Sequence, residues 1–228
     1  VWYNRSTGLL KMYAALGAWA TGGNMNTPGY GRFGLGASQS AALAAGGNAN
    51  PSTVNSEEYN GSAWTEGANL TTSRTYGGAA GTQTAGLIFG GNVLTPPNVR
   101  QAIAESYDGT NWTEVADLNT AREATTGCGT STLALCFGGS TGSDVAITEK
   151  YNGTSWTEVG DLNTARRYLN GAGTAAAALC INGYPVRAIT ESFNGTSWTE
   201  VGDLNTGRHS AASAHQGTNE SALINGGA

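Results

Sequence analysis

The stretch that decides the fold runs from Arg122 to Arg166: REATTGCGTSTLALCFGGSTGSDVAITEKYNGTSWTEVGDLNTAR. It opens on small residues, Ala124 to Cys128, and turns at Gly129-Thr130. The run Leu133-Ala134-Leu135-Cys136-Phe137 follows and is closed by Gly138-Gly139. After a loop come Thr148-Glu149-Lys150-Tyr151, an Asn152-Gly153 turn, and Trp156-Thr157-Glu158-Val159. Short runs rich in β-branched, aromatic and aliphatic residues, separated by turn chemistry, read as four antiparallel strands. Asn-Gly fits the hairpin because both residues tolerate the positive φ that tight hairpin turns require.

Working outward, the same unit recurs. Tryptophans stand at Trp19, Trp64, Trp112, Trp156 and Trp198, spaced by 45, 48, 44 and 42 residues. A second marker closes the apolar run of each copy, with its final glycine at Gly47, Gly91, Gly139, Gly183 and Gly227. An arginine recurs at Arg74, Arg122, Arg166 and Arg208, and the third-strand turn recurs at Asn60-Gly61, Asp108-Gly109 and Asn194-Gly195. Four strands per unit of roughly 40–50 residues is the pattern of a β-propeller blade. Helical solenoids need helix formers at 3.6-residue spacing, and leucine-rich repeats are far shorter.

The order apolar run, Gly-Gly, spaced Tyr, then Trp resembles the kelch repeat. The resemblance covers nearly the whole chain. Its first copy departs from the pattern, with Gly29 at the arginine position. The last copy stops after Gly227 and supplies two strands, while the first begins with Leu9–Tyr13 and Trp19 and supplies the other two. Joining the two halves in one sheet leaves no free edge. The expectation is an all-β, five-bladed kelch-like β-propeller of four-stranded antiparallel blades, the last closed by the N- and C-terminal strands. It forms a single domain over 1–228, with blades near 29–70, 74–118, 122–162, 166–204, and 208–228 plus 1–24. Val1–Asn4 is expected to pair with Leu9–Tyr13 through Ser6-Thr7-Gly8. Small residues such as Gly77 to Ala80 and Gly171-Ala172 suit the innermost strand, where backbones converge.

Composition narrows the function. Charged residues make up 12 %, the formal net charge is −5, and lysine occurs only at Lys11 and Lys150. No basic stripe is available to neutralise phosphates, so nucleic acid is excluded as a partner. No apolar run approaches 18 residues, so no membrane insertion is expected. Position 1 is valine, which reads as a processed product, a fragment or an excised domain. The cysteines Cys128, Cys136 and Cys180 are odd in number without C-x-x-C spacing, and are read as small apolar packing.

Recurring polar residues are read as solving a problem of the blade. Each arginine and each of Glu57, Glu105, Glu149 and Glu191 is expected to fix a strand end or a neighbouring blade, and Asn24, Asn69, Asp117, Asp161 and Asp203 to bond a turn. Axial Ca²⁺ is the competing reading of the last series. The Asn-Gly turns also match N-glycosylation acceptors, but turn chemistry already accounts for them. Residues outside the repeat are the candidates for recognition: Tyr30, Tyr76, Tyr168 and Tyr184 as aromatic platforms, and Arg100 in Asn92–Ala102, the second of the variable loops that join the second and third strands.

Some kelch-repeat propellers are copper oxidases related to galactose oxidase, whose chemistry needs paired His and Tyr ligands and a Cys–Tyr crosslink. This chain has only His209 and His215, on an expected strand, and no motif of a nucleophilic or metal-dependent hydrolase. The expectation is no enzyme, no cofactor and no metal. The opening Val1-to-Leu10 hairpin and the D-L-N-T-A-R unit ends resemble phage tail-fibre proteins, including kelch-like fibre proteins of marine phages. That resemblance implies an extracellular or virion-surface display module, binding a host-surface glycan or receptor beside other virion or fibre subunits. The alternative is a structural docking propeller without a small ligand; a metal-dependent enzyme of galactose-oxidase type ranks third.

Overall fold

The protein was analysed as a computed structural model, which describes residues 2–4, 9–11, 23–49, 52–94, 97–213, 218–220 and 222–228. All regular structure there is β. A hairpin comes first, β1 (Trp2–Asn4) with β2 (Leu9–Lys11), paired Trp2↔Lys11. The first blade is β3 (Phe33–Ser38), β4 (Ala41–Ala45), β5 (Ser56–Tyr59) and β6 (Trp64–Glu66). The second is β7 (Gly78–Thr82), β8 (Ala85–Phe89), β11 (Ala104–Tyr107) and β12 (Trp112–Val115); its loop carries the small hairpin β9 (Asn92–Val93) and β10 (Val99–Arg100). The third is β13 (Thr126–Gly129), β14 (Ala134–Phe137), β15 (Thr148–Tyr151) and β16 (Trp156–Glu158). The fourth is β17 (Asn170–Gly173), β18 (Ala178–Ile181), β19 (Thr190–Phe193) and β20 (Trp198–Val201). A last pair, β21 (Ala212–Ser213) with β22 (Ile224–Asn225), ends the chain.

The strands fall where the repeat predicts, and each blade is a four-stranded antiparallel meander. The count differs from the expectation. Among the described residues there are four complete blades, with β21–β22 as the inner half of a further copy and β1–β2 as a separate hairpin. Sheet pairing between the two ends lies outside what is described, as does Trp19. The inner strands nevertheless pack in chain order, β3 on β7, β7 on β13, β13 on β17 and β17 on β21. Ser213 Oγ donates to the Gly171 carbonyl and Asn170 Nδ2 to that of Ala211, fixing β21 against β17.

The core is a set of wedges between neighbouring blades. Phe89 of the second blade meets Trp156 of the third edge-on at 5.0 Å, and Phe137 of the third meets Trp198 of the fourth at 4.9 Å. Trp156 Nε1 also donates to the Ala116 carbonyl of the preceding blade. Trp112, Trp156 and Trp198 thereby pack against their own blade's aromatic, Tyr107, Tyr151 and Phe193, and against the blade before. The small inner strand follows from this geometry: a Cβ on Gly127 would stand 2.4 Å from both the Phe89 ring and the Leu135 carbonyl. The first inner strand departs from that rule, since Phe33 and Leu35 are large and buried.

Candidate functional site

Repeated polar residues form clamps within the fold. Arg74 pairs with Glu105 at 2.7 Å, Arg122 with Glu149, and Arg166 with Glu191, all six side chains fully buried. The glutamate does more than balance charge. Glu149 also accepts from the main-chain N–H of Asn119 and Thr120, which form the crossover into its blade. Arg122 in turn donates to the Thr120 carbonyl. Arg122 and Arg166 further place Nη2 at 3.0 and 2.9 Å from Cys136 Sγ and Cys180 Sγ, so these thiols are polar partners as well as packing groups. Burial pushes the Cys180 thiol up to about 12, and raises Cys128 and Cys136 for the same reason.

The Asp series acts across strands. Asp117, Asp161 and Asp203 accept from the N–H of Ala104, Thr148 and Thr190 at the head of the third strand of the second, third and fourth blades, rather than closing a local turn. Among the described residues no three His, Cys, Asp or Glu side chains are grouped to hold a metal. Asn60, Asn152 and Asn194 each cap their hairpin turn with Oδ1 on the N–H two residues on.

The variable residues converge on one face, where the inner strands begin. Tyr76, Ala124, Tyr168 and Ser210 all have positive φ, between 51 and 59°, and Gly31 takes the same position at 63°. Tyr76 N–H donates to Gly31, Ala124 to Tyr76, Tyr168 to Ala124 and Ser210 to Tyr168, each through the main-chain carbonyl. A rim of backbone hydrogen bonds therefore joins five successive copies. Just outside it lie five backbone-paired positions: Tyr30 with Asn48, Thr75 with Asn92, Glu123 with Ser140, Arg167 with Tyr184, and His209 with Ala228. These side chains differ from copy to copy while the surrounding residues repeat.

All five candidates from the sequence lie on this face. Ring centroids run Tyr30 to Tyr76 at 6.2 Å, Tyr76 to Tyr168 at 5.9 Å, Tyr168 to His209 at 6.5 Å and His209 to Tyr184 at 5.4 Å. Tyr30 is 59 % exposed and Tyr184 39 %. Arg100 reaches the same rim through Glu123 at 3.1 Å. Sequence reasoning missed Arg167, whose guanidinium lies 4.3 Å from the Tyr184 ring centroid and pairs with Asp144 at 2.5 Å. It also missed Asn48, which donates through Nδ2 to the Tyr30 hydroxyl at 2.7 Å. The signal that marks both is the divergence of their repeat positions. His209 joins this aromatic chain instead of a strand, and His215 lies outside the described residues.

A cleft of about 470 Å³ opens beside Tyr30, bounded by Pro28, Gly29, Asn48 and Ala49. Burial, Tyr30, Tyr168 and Glu123 together raise the Tyr76 phenol above its ordinary value, which keeps it neutral and able to donate.

No protein-family profile and no curated protein matches the chain. Among solved structures, the one titled "Structure of YjhT" aligns with a TM-score of 0.69 and 13 % identity, covering 89 % of this chain and 73 % of that one. Identity that low speaks to fold alone. Together with the meander topology of the four sheets it defines the class: an all-β propeller of antiparallel four-stranded blades.

Proposed function

We propose that this chain is a non-enzymatic recognition and display module of an extracellular or virion surface, and that it binds host-surface glycans at the aromatic face around the axis. In this reading the ring is a kelch-like propeller of five blades, the fifth completed by N- and C-terminal strands. The rim of five positive-φ positions, Gly31 to Ser210, supports that count, because the fifth copy contributes a member like the others.

The observation that carries the reading is the continuous aromatic chain from Tyr30 to Tyr184, set among the polar groups of Asn48, Glu123, Asp144 and Arg167. Blade architecture does not require these residues, since other copies do without them. Exposed aromatic faces beside convergent donors and acceptors suit sugar rings, which present C–H faces and hydroxyls together. The resemblance to phage fibre repeats supplies the setting.

The test is a glycan array probed with the purified chain, followed by Tyr168→Ala and Tyr184→Ala. Specific hits lost in both variants, with unchanged thermal stability, are expected. Absence of any hit combined with stable self-association would favour a docking propeller instead.

A further inference from the structure

The charge arrangement at the rim narrows the ligand class, on the reading that this face binds glycans. Arg167, the cation over the Tyr168 and Tyr184 rings, is already paired with Asp144, at 5.8 and 4.3 Å from the two ring centroids. Arg100 is paired with Glu123, whose second oxygen accepts from Asn92 Nδ2 at 2.8 Å. Each guanidinium is thus matched by a carboxylate that is itself partly exposed, Glu123 at 17 % and Asp144 at 23 %. An incoming carboxylate or sulfate would meet these anions beside both of those cations. A hydroxyl meets the opposite situation, because it can donate to the carboxylate and accept from the guanidinium at once. The chain as a whole, at −5, adds no attraction for polyanions.

We infer that the rim takes an uncharged oligosaccharide, one ring of which is seated in the Tyr30 cleft while further units follow the aromatic chain toward the paired charges. The cleft is of ligand size at about 470 Å³, and its Tyr30 ring is both exposed and held at its hydroxyl by Asn48. An oriented ring spends little further entropy on stacking a sugar face.

The experiment measures equilibrium binding to dextran, mannan and a galactan, against alginate and carrageenan, at about 0.05 M and about 0.5 M salt. Binding to at least one neutral polymer is expected, changing less than about twofold across that range. Tyr30→Ala is expected to weaken it about tenfold at unchanged melting temperature. Asp144→Asn, which uncovers the Arg167 charge, is expected to give salt-sensitive binding to alginate that the parent lacks. Preference of the parent for alginate or carrageenan, falling steeply with salt, would overturn the neutral assignment and leave the glycan reading intact. Failure to bind any of the five polymers would overturn both.

Discussion

Arg32 donates to the main-chain carbonyl of Thr27 at 2.5 Å, the carbonyl that corresponds to those of Thr120 and Thr164 in later copies. There the donors are Arg122 and Arg166, three repeat positions earlier. The first copy has Gly29 at that place, and Glu57 still accepts from the N–H of Asn26 and Thr27. Arg32 therefore replaces the arginine-to-carbonyl bond of the clamp from a different point on the chain, adding a bond to the Gly46 carbonyl at 3.0 Å.

This substitution has a measurable consequence. Arg32→Ala is expected to destabilise the protein by about 1–2 kcal/mol, as befits charged hydrogen bonds in a half-buried setting. Adding Gly29→Arg should bring no recovery, because a Cβ at position 29 would stand 2.7 Å from the Asn48 carbonyl. Denaturant midpoints of the single and double variants decide it; recovery in the double variant would show that Gly29 can host the repeat arginine.

The fully buried pairs should be more costly to break. Glu149→Gln leaves the Arg122 charge buried without its partner, and a loss of about 3–5 kcal/mol is expected in chemical denaturation. Combining it with Arg122→Met removes the stranded charge and should recover part of that loss. Full recovery is not expected, since the carboxylate also holds the N–H of Asn119 and Thr120.

Alkaline pH should weaken the fold through its thiols. Unfolded cysteine ionises near about 8.5, whereas burial holds Cys180 to about 12 and also raises Cys128 and Cys136. A folded value above the unfolded one means the contribution is complete below about pH 8.5 and is lost as pH climbs toward 12. For Cys180 the loss reaches about 2 kcal/mol at pH 10. Unfolding curves at pH 7 and pH 10 should show this drop, and Cys180→Ala should make it smaller.

At the rim, stability and recognition should separate. Tyr168 sits at φ 53°, a conformation that asparagine tolerates better than tyrosine. Tyr168→Asn is expected to keep stability within about 1 kcal/mol while removing glycan binding. Equal loss of melting temperature and binding would instead mark Tyr168 as a packing residue.

Much of this architecture is legible in the sequence because each blade states it again. Trp112, Trp156 and Trp198 lie at the strand starts that their spacing predicts, and the Gly-Gly pairs such as Gly138-Gly139 take the positive φ their chemistry suits. The rim is less legible. Tyr76, Ala124 and Tyr168 carry no local sign of a left-handed backbone, which is imposed by hydrogen bonds to the neighbouring copy. Arg32 is invisible to repeat alignment, because its role depends on side-chain reach and not on register. Tyr30, Tyr76, Tyr168, Tyr184 and Arg100 could be picked out as departures from the repeat. Arg167 diverges at its repeat position in the same way, but its partner Asp144 could not be picked out, since charged residues in loops usually mark nothing more than solvent.

The central claim is a ring of five blades whose fifth is shared by the two ends of the chain, and chemical crosslinking tests it most directly. Cysteines placed at Leu10 in β2 and Ile224 in β22 would be treated with a short bis-maleimide. The native thiols are buried and held protonated, so they should stay unreacted. The account predicts one intramolecular crosslink per molecule, read by intact mass and peptide mapping. Separate addition of reagent at each cysteine, without a link between them, would contradict it.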